Sequence, residues 1–334
     1  MEHERYPCIS FLQVLGPILV ILGHSANGLT VSAGWYAFTK EWIYLFHMPL
    51  FFLISGYLLA HRGYLHGRSY RTFVLEKSKR LLLPYLFWNL LFWAPKLLAS
   101  AYIADAAPPS IPALLEDFAF PRRNIWGHTW FLVGLFELYL LCPVLERMFA
   151  SRKRVTAVLA LALGVALYML PIRSELLAFS DLHKDLLFFL LGCLLGQLET
   201  ERFLALMKKL RWPMIALAAV SSAAALVFYD RLSVLFWIPC GSILLALLSV
   251  GAALRRVPPR MERLAADSFT VYILHWPVML GVRIVLRQLL GLSVPLTVAA
   301  MCAAGWLVPV AAAMLLRRLP LKRLRRPVKY LLGG

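Results

Sequence analysis

The chain has 334 residues, of which 61% are hydrophobic and only 16% charged. This composition excludes an ordinary soluble domain, because the apolar residues come in blocks about as long as a bilayer is thick. The net charge of +18 suggests a nucleic-acid partner, but Lys and Arg cluster between the apolar blocks instead of forming one patch among exposed aromatics, so no nucleic acid is expected. Cys8, Cys142, Cys193, Cys240 and Cys302 are scattered and form no C-x-x-C pair, so neither a disulfide framework nor a zinc site is indicated. The first apolar block lacks a small-residue cleavage site followed by a soluble chain and reads as a retained helix.

The pattern predicts an all-α polytopic bundle of about ten transmembrane helices. The spans lie at about 9–30, 43–60, 81–104, 126–146, 155–171, 185–199, 212–229, 232–254, 268–290 and 293–316, within one membrane domain covering 1–334. With both termini cytoplasmic, 26 of the 35 Lys and Arg fall on inner segments, including a basic tail at 317–334. Eight fall outside, namely Lys40, Arg122, Arg123, Arg173, Lys184, Arg231, Arg283 and Arg287, and Lys96 lies within the third span. A wrong span count would scramble this alternation.

The first span contains "VILGHSANG", a histidine in an apolar run. His24 lies about 22 Å from Ile9 by helical rise, in the outer half. Gln13, about three turns earlier, shares its face, with Gly16-Pro17 between them predicting a kink. The second span enters from outside as "FHMPLFFLISGYL", with His47 roughly 6 Å deep, a kink at Pro49 and Ser55-Gly56 as a close-packing device. Arg80 precedes the third span and reads as a topology anchor or a donor contact. The fourth, "HTWFLVGLFELY", carries His128 and Trp130 at its outer end and Glu137 deeper. His183, Lys184 and Asp185 open the sixth. The ninth, "DSFTVYILHWPVM", enters from inside, so Tyr272 and His275 fall in the inner half before Pro277.

Each residue also has an ordinary structural explanation. A buried histidine can bond to a backbone carbonyl, yet ionisable groups at membrane depth are costly and usually functional, which favours a role for His24. His47 and His128 fit an interfacial position equally well, and Trp130, Tyr272 and Trp276 fit an aromatic belt or packing. Glu137 fits a helix-pairing or a functional carboxylate.

The pieces "FLQVLGPILVILGHS", "FHMPLFFLISGYLLA", "RLLLPYLFW", "WFLVGLFELYLLCPVL", "FFLLGCLLGQ" and "SFTVYILHWPVM", in this order, resemble the acyltransferase-3 family of integral membrane acyltransferases. The resemblance implies ten helices with a cytoplasmic N-terminus. It implies transfer of an acyl group, commonly acetyl, from acetyl-CoA or another acyl-CoA to a hydroxyl of a carbohydrate. It also implies residence in the bilayer of the bacterial inner membrane. The chain is similar to the short members. The family's signature is an arginine eleven residues before a histidine. His24 matches the histidine, but Gln13 stands at the arginine, and it offers hydrogen bonds without charge.

A hydroxyl needs a base to attack a thioester at neutral pH. His24 is the candidate base, with His47 orienting it or stabilising the oxyanion. Gln13 and Arg80 are the candidates for donor binding, and His128, Trp130, Glu137, Tyr272 and His275 for acceptor binding. No G-x-S-x-G, Walker or H-E-x-x-H motif occurs. A proton-coupled transporter or glycan exporter would also use intramembrane histidines, but no inverted repeat is visible. No metal is expected, since His24, His47 and His128 come from three spans without a local ligand motif. The donor should enter from the cytoplasm and the acceptor should react near the outer face.

Overall fold

A computed structural model describes residues 7–27, 29, 34–98, 110–123, 127–150, 154–228, 233–254, 257–318 and 330–332. Regular structure among them is helical: α1 Pro7–His24, α2 Gly34–Tyr44, α3 His47–His61, α4 Tyr70–Leu98, α5 Ile111–Ala119, α6 Trp130–Leu140, α7 Cys142–Ala150, α8 Arg154–Met169, α9 Phe179–Gly196, α10 Thr200–Val227, α11 Trp237–Gly251, α12 Pro259–Ala266, α13 Ser268–Arg283 and α14 Val294–Arg318. A π-helical turn, Ile284–Leu289, prolongs α13. Of the tail expected at 317–334, Arg317 and Arg318 end α14, while 319–329 and 333–334 lie outside the described residues, as do Arg5, Arg152, Lys153, Arg231, Arg255 and Arg256.

A helix occupies each of the ten expected positions. Among the described residues, six segments are long and apolar enough to cross a membrane: Pro7–His24, Gly34–His61, Thr200–Val227, Ser233–Gly251, Ser268–Leu289 and Val294–Arg318. A seventh candidate is the pair Gly127–Leu140 and Cys142–Ala150, bent by 50°. The described residues are thus all-α, with about six candidate membrane helices.

Helix and apolar run do not coincide. α4 starts at Tyr70 and α10 at Thr200, both well before the apolar stretches expected at 81 and 212. Their first turns, "YRTFVLEKSKR" and "TERFLALMKKLR", hold good helix formers with basic residues, so the helix extends beyond the apolar stretch that hydropathy marks. In α10 this extension buries Phe203 and Met207, one turn apart. The second span is divided: α2 ends at Tyr44, and α3 starts at His47. Pro49 therefore sits in a first turn, where its missing N–H has no helical partner in any case, and begins a helix where a kink was expected. The helices run on through Pro17 and Pro277 without interruption.

The chain divides into two compact units, one formed by residues 1–58 with 191–319 and the other by 59–190 with 320–334. In the first, Ile21, Val271, Met279 and Met301 make a core that joins α1, α13 and α14. Arg317 grips the buried Asp267 with both guanidinium nitrogens, tying the end of α14 to the start of α13. The α9 segment "GCLLG" packs directly on α3: a Cβ at Gly192 would fall 2.1 Å from the Leu53 carbonyl oxygen, and one at Gly196 2.3 Å from that of Tyr57. This small-xxx-small approach lets two backbones touch where lipid supplies no hydrophobic driving force. It stands in α9, and the packing device expected at Ser55-Gly56 lies on its partner α3.

In the second unit, the Tyr70 hydroxyl donates to the Leu140 carbonyl at 3.0 Å, and Asn89 Nδ2 to Thr129 Oγ1 at 3.1 Å, which fastens α4 to α6. Lys77 Nζ lies 3.8 Å from the centre of the Tyr139 ring.

The glycine contact gives a stability test. Gly196→Val forces α9 off α3 and should cost about 1–3 kcal/mol, as overpacking does. Thermal unfolding of the detergent-purified variant should show a lowered midpoint, and Gly281→Val, at a position with open space around it, should not.

Candidate active site

His24 is the last residue of α1, and the chain turns sharply after it. The Asn27 N–H donates back to the His24 carbonyl at 3.0 Å. From α2, the Tyr36 hydroxyl accepts from the Ala26 N–H at 2.9 Å and lies 3.0 Å from Ser25 Oγ. From α13, Arg283 Nη1 donates to the Asn27 carbonyl at 2.8 Å. The turn is therefore held by its own backbone, by α2 and by α13.

Side chains then converge on the half-buried His24 ring. Asn27 Nδ2 lies 2.8 Å from His24 Nδ1, and Lys40 Nζ donates to Asn27 Oδ1 at 2.9 Å. The Tyr44 hydroxyl stands 3.2 Å from the same Nδ1. The His275 ring stacks on His24 at 5.7 Å and 27°, and Trp276 meets it edge-on at 5.5 Å. His47, buried at the start of α3, packs its ring 4.8 Å from that of Tyr44 and donates Nδ1–H to the Ile43 carbonyl at 3.0 Å. His275 is fully buried and donates Nδ1–H to the Tyr272 carbonyl at 2.7 Å. Those donated bonds place a proton on Nδ1 of both rings, which in the neutral form leaves the lone pair on Nε2.

His24, His47, Tyr272 and His275 therefore stand in one cluster, with Gln13 half-buried further along α1. His24 and His275 were expected in opposite halves of the membrane, yet their rings touch. Helical rise measures depth only from a known origin, and the ends of apolar runs are not a common level for α1 and α13. The remaining expected residues belong to the second unit. His128 is half-buried in the short turn Gly127–Thr129. Trp130 is buried, with the Arg122 guanidinium 4.0 Å over its ring, and Asp181 holds that guanidinium through both carboxylate oxygens. Trp130 is thus half of a cation–π pair within its own unit. Glu137 is half-buried on α6, and Arg80 is exposed on α4.

Sequence reasoning did not single out Asn27, Lys40, Tyr44 or Arg283. Asn27 was within reach, since it lies three residues after His24 and the histidine closes its helix. Lys40 and Arg283 read as outer-loop charges. Among the described residues neither pairs with a carboxylate, and no group of three or more His, Cys, Asp or Glu gathers to hold a metal.

A family model for an acyltransferase domain matches residues 6–314. The chain belongs to the acyltransferase-3 family. It accordingly carries that family's acyltransferase domain over most of its length. Over 203 residues it is 30% identical to the nodulation protein NolL of Sinorhizobium fredii, covering 60% of this chain and 51% of that protein. Over 151 residues it is 34% identical to the nodulation protein NolL of Mesorhizobium japonicum, covering 44% of this chain and 37% of that one. The chain thus spans about half or less of the curated relatives it matches. No solved structure matches it.

The stacked histidine pair can be tested in the enzyme. His275→Ala empties a fully enclosed site beside His24 and should cost about 2–4 kcal/mol. His275→Phe refills the volume and should recover most of that in thermal unfolding. A Phe variant as unstable as the Ala variant would place the weight on the bonds to the Val271 and Tyr272 carbonyls.

Proposed function

We propose that the chain is a single-domain integral membrane O-acetyltransferase with ten spans and both termini cytoplasmic. It would move an acetyl group from acetyl-CoA to a hydroxyl of a cell-surface or lipid-linked carbohydrate at the bacterial inner membrane. The observation that carries this reading is His24, the family's histidine, held in a hydrogen-bonded cluster inside the matched domain.

The acceptor hydroxyl gives its proton to His24 as its oxygen bonds to the thioester carbonyl carbon. The tetrahedral intermediate then collapses with cleavage of the C–S bond, and the departing thiolate takes the proton from the imidazolium. His47, whose Nδ1–H is committed to the Ile43 carbonyl, fits an orienting role through Tyr44 better than that of an oxyanion donor. Gln13 would contact the donor with hydrogen bonds alone. The charge near His24 comes from Lys40 and Arg283, while the donor's phosphates would meet the basic inner segments, Arg80 among them. His275 stacks on the base, and Tyr272 lies beside His275. His128, Trp130 and Glu137 remain acceptor candidates on sequence grounds.

Turnover is measured as thiol release from acetyl-CoA by purified protein over a panel of carbohydrate acceptors. His24→Ala should lose about 10²–10⁴ in rate while inserting normally. Undiminished turnover by the purified variant would sink the assignment.

Sidedness follows from the topology. In sealed, oriented vesicles, acetyl-CoA supplied only on the cytoplasmic side should support acylation of an acceptor on the other. A requirement for extracytoplasmic acetyl-CoA would reverse the orientation proposed here.

A further inference from the structure

The Asn27 amide has two chemically different ends, and its neighbours tell them apart. Lys40 Nζ can only donate, so the atom it meets at 2.9 Å is the carbonyl oxygen Oδ1. The opposite end, facing His24 Nδ1 at 2.8 Å, is then the NH2 group. An NH2 donates, so Nδ1 accepts and carries no proton, and the neutral His24 ring has its proton on Nε2. This is the reverse of His47 and His275, whose Nδ1–H groups donate to backbone carbonyls. The three rings lie close together, yet His24 alone offers Nδ1 as the basic atom.

We infer that Lys40 and Asn27 are positioning residues for the transfer: the ammonium locks the amide, and the amide holds the basic lone pair of His24 on Nδ1. This rests on the reading of His24 as the base. It also says where the acceptor approaches. Nδ1 faces the Tyr44 hydroxyl at 3.2 Å, and Tyr44 is 41% exposed. The acceptor hydroxyl takes the place of that phenol, displaces the Asn27 N–H from the single Nδ1 lone pair as it donates, and attacks from there. The proton ends on Nδ1, giving an imidazolium protonated at both nitrogens, and returns to the thiolate on collapse. Nε2–H keeps its proton throughout. The backbone of the turn is tied to Tyr36 and Arg283, so the amide inverts only by rotating about its own side chain, and the ammonium is the element that decides which end faces the ring.

The test uses the full-length protein in lipid nanodiscs with 15N-labelled histidine, the His24→Gln spectrum identifying the His24 resonances. The wild type should show an unprotonated Nδ1 and a protonated Nε2. Asn27→Asp places an acceptor between Lys40 and the ring and should move the proton to Nδ1. Lys40→Met releases the amide to turn its oxygen to the ring, with the same result, and Lys40→Arg should keep the wild-type pattern. In thiol release from acetyl-CoA, Asn27→Asp and Lys40→Met should lose about tenfold or more in kcat, as expected when a base presents the wrong nitrogen, with KM for acetyl-CoA changed less than about twofold. Lys40→Arg should recover most of that loss. A wild-type His24 protonated at Nδ1, or an Asn27→Asp spectrum unchanged at His24, would overturn the inference. So would a switched proton with undiminished kcat. Failure of the base assignment is seen separately, as full turnover by His24→Ala, and the spectra need no turnover to be read.

Discussion

A chain in hydrocarbon has no water to satisfy its peptide groups, so every N–H and C=O must find a partner inside the protein. Helices meet that demand along their length and fail at their ends, where the last carbonyls lack a helical donor. The end of α1 shows how the demand shapes a site. Beyond His24 the turn closes through the Asn27 N–H, and the Tyr36 hydroxyl and the Arg283 guanidinium bond its remaining backbone. The same groups that complete a helix end thereby bring α2 and α13 against the histidine. Lys40, Tyr44, His275 and Trp276 arrive on those two helices, so the polar cluster follows from satisfying one turn.

Magnitudes separate the stabilising groups from the others. An arginine near the middle of a membrane helix costs about 2.5–3.5 kcal/mol on insertion scales. A hydrogen bond from a charged donor returns about 1.5–3 kcal/mol. Arg283, buried, with one bond to the Asn27 carbonyl and no carboxylate partner among the described residues, comes out near even. By contrast, the glycine contact of α9 on α3 and the core of Ile21, Val271, Met279 and Met301 contribute packing without a charge to desolvate. Stability of the first unit therefore belongs to apolar and small residues, and Arg283 adds little net to it.

What was legible in the sequence follows the same division. Hydropathy marks where helices must lie in lipid, and a helix stands at each of those positions. It is blind to helix continuing beyond the apolar stretch, so the starts of α4 and α10 were set too late. It is equally blind to a shorter, less apolar helix ahead of a span, so α2 fell almost wholly outside the span set at 43–60. His24 was visible because one ionisable residue in an apolar run is costly. Its partners were not, because Lys40 and Asn27 are ordinary residues in a loop until the turn brings them together. His275 was recognised as a candidate but set in the opposite half from His24, whose ring it meets. Contact between α1 and α13 depends on how far each helix protrudes, and one-dimensional spacing does not contain that quantity.

The position of Gln13 now has a physical setting. It lies eleven residues before His24 on one unbroken helix, about 16 Å along the axis. Lys40 and Arg283 gather at the far end of that interval, against the Asn27 turn. Neither can stand in for an arginine at position 13, because charge there and charge beside His24 would act on different atoms. Cations at the histidine end bear on the ring and its proton. A cation three turns away would bear on an anionic part of the donor. With glutamine at 13, that level of α1 offers neutral donors and acceptors and avoids the insertion cost of a buried charge. Binding there must then rest on hydrogen bonds whose strength changes little with salt, whereas attraction between a cation and phosphate is screened as ionic strength rises. On the proposed reading, the departure from the family's signature changes how a donor is held at Gln13 and does not touch the groups that meet the His24 ring.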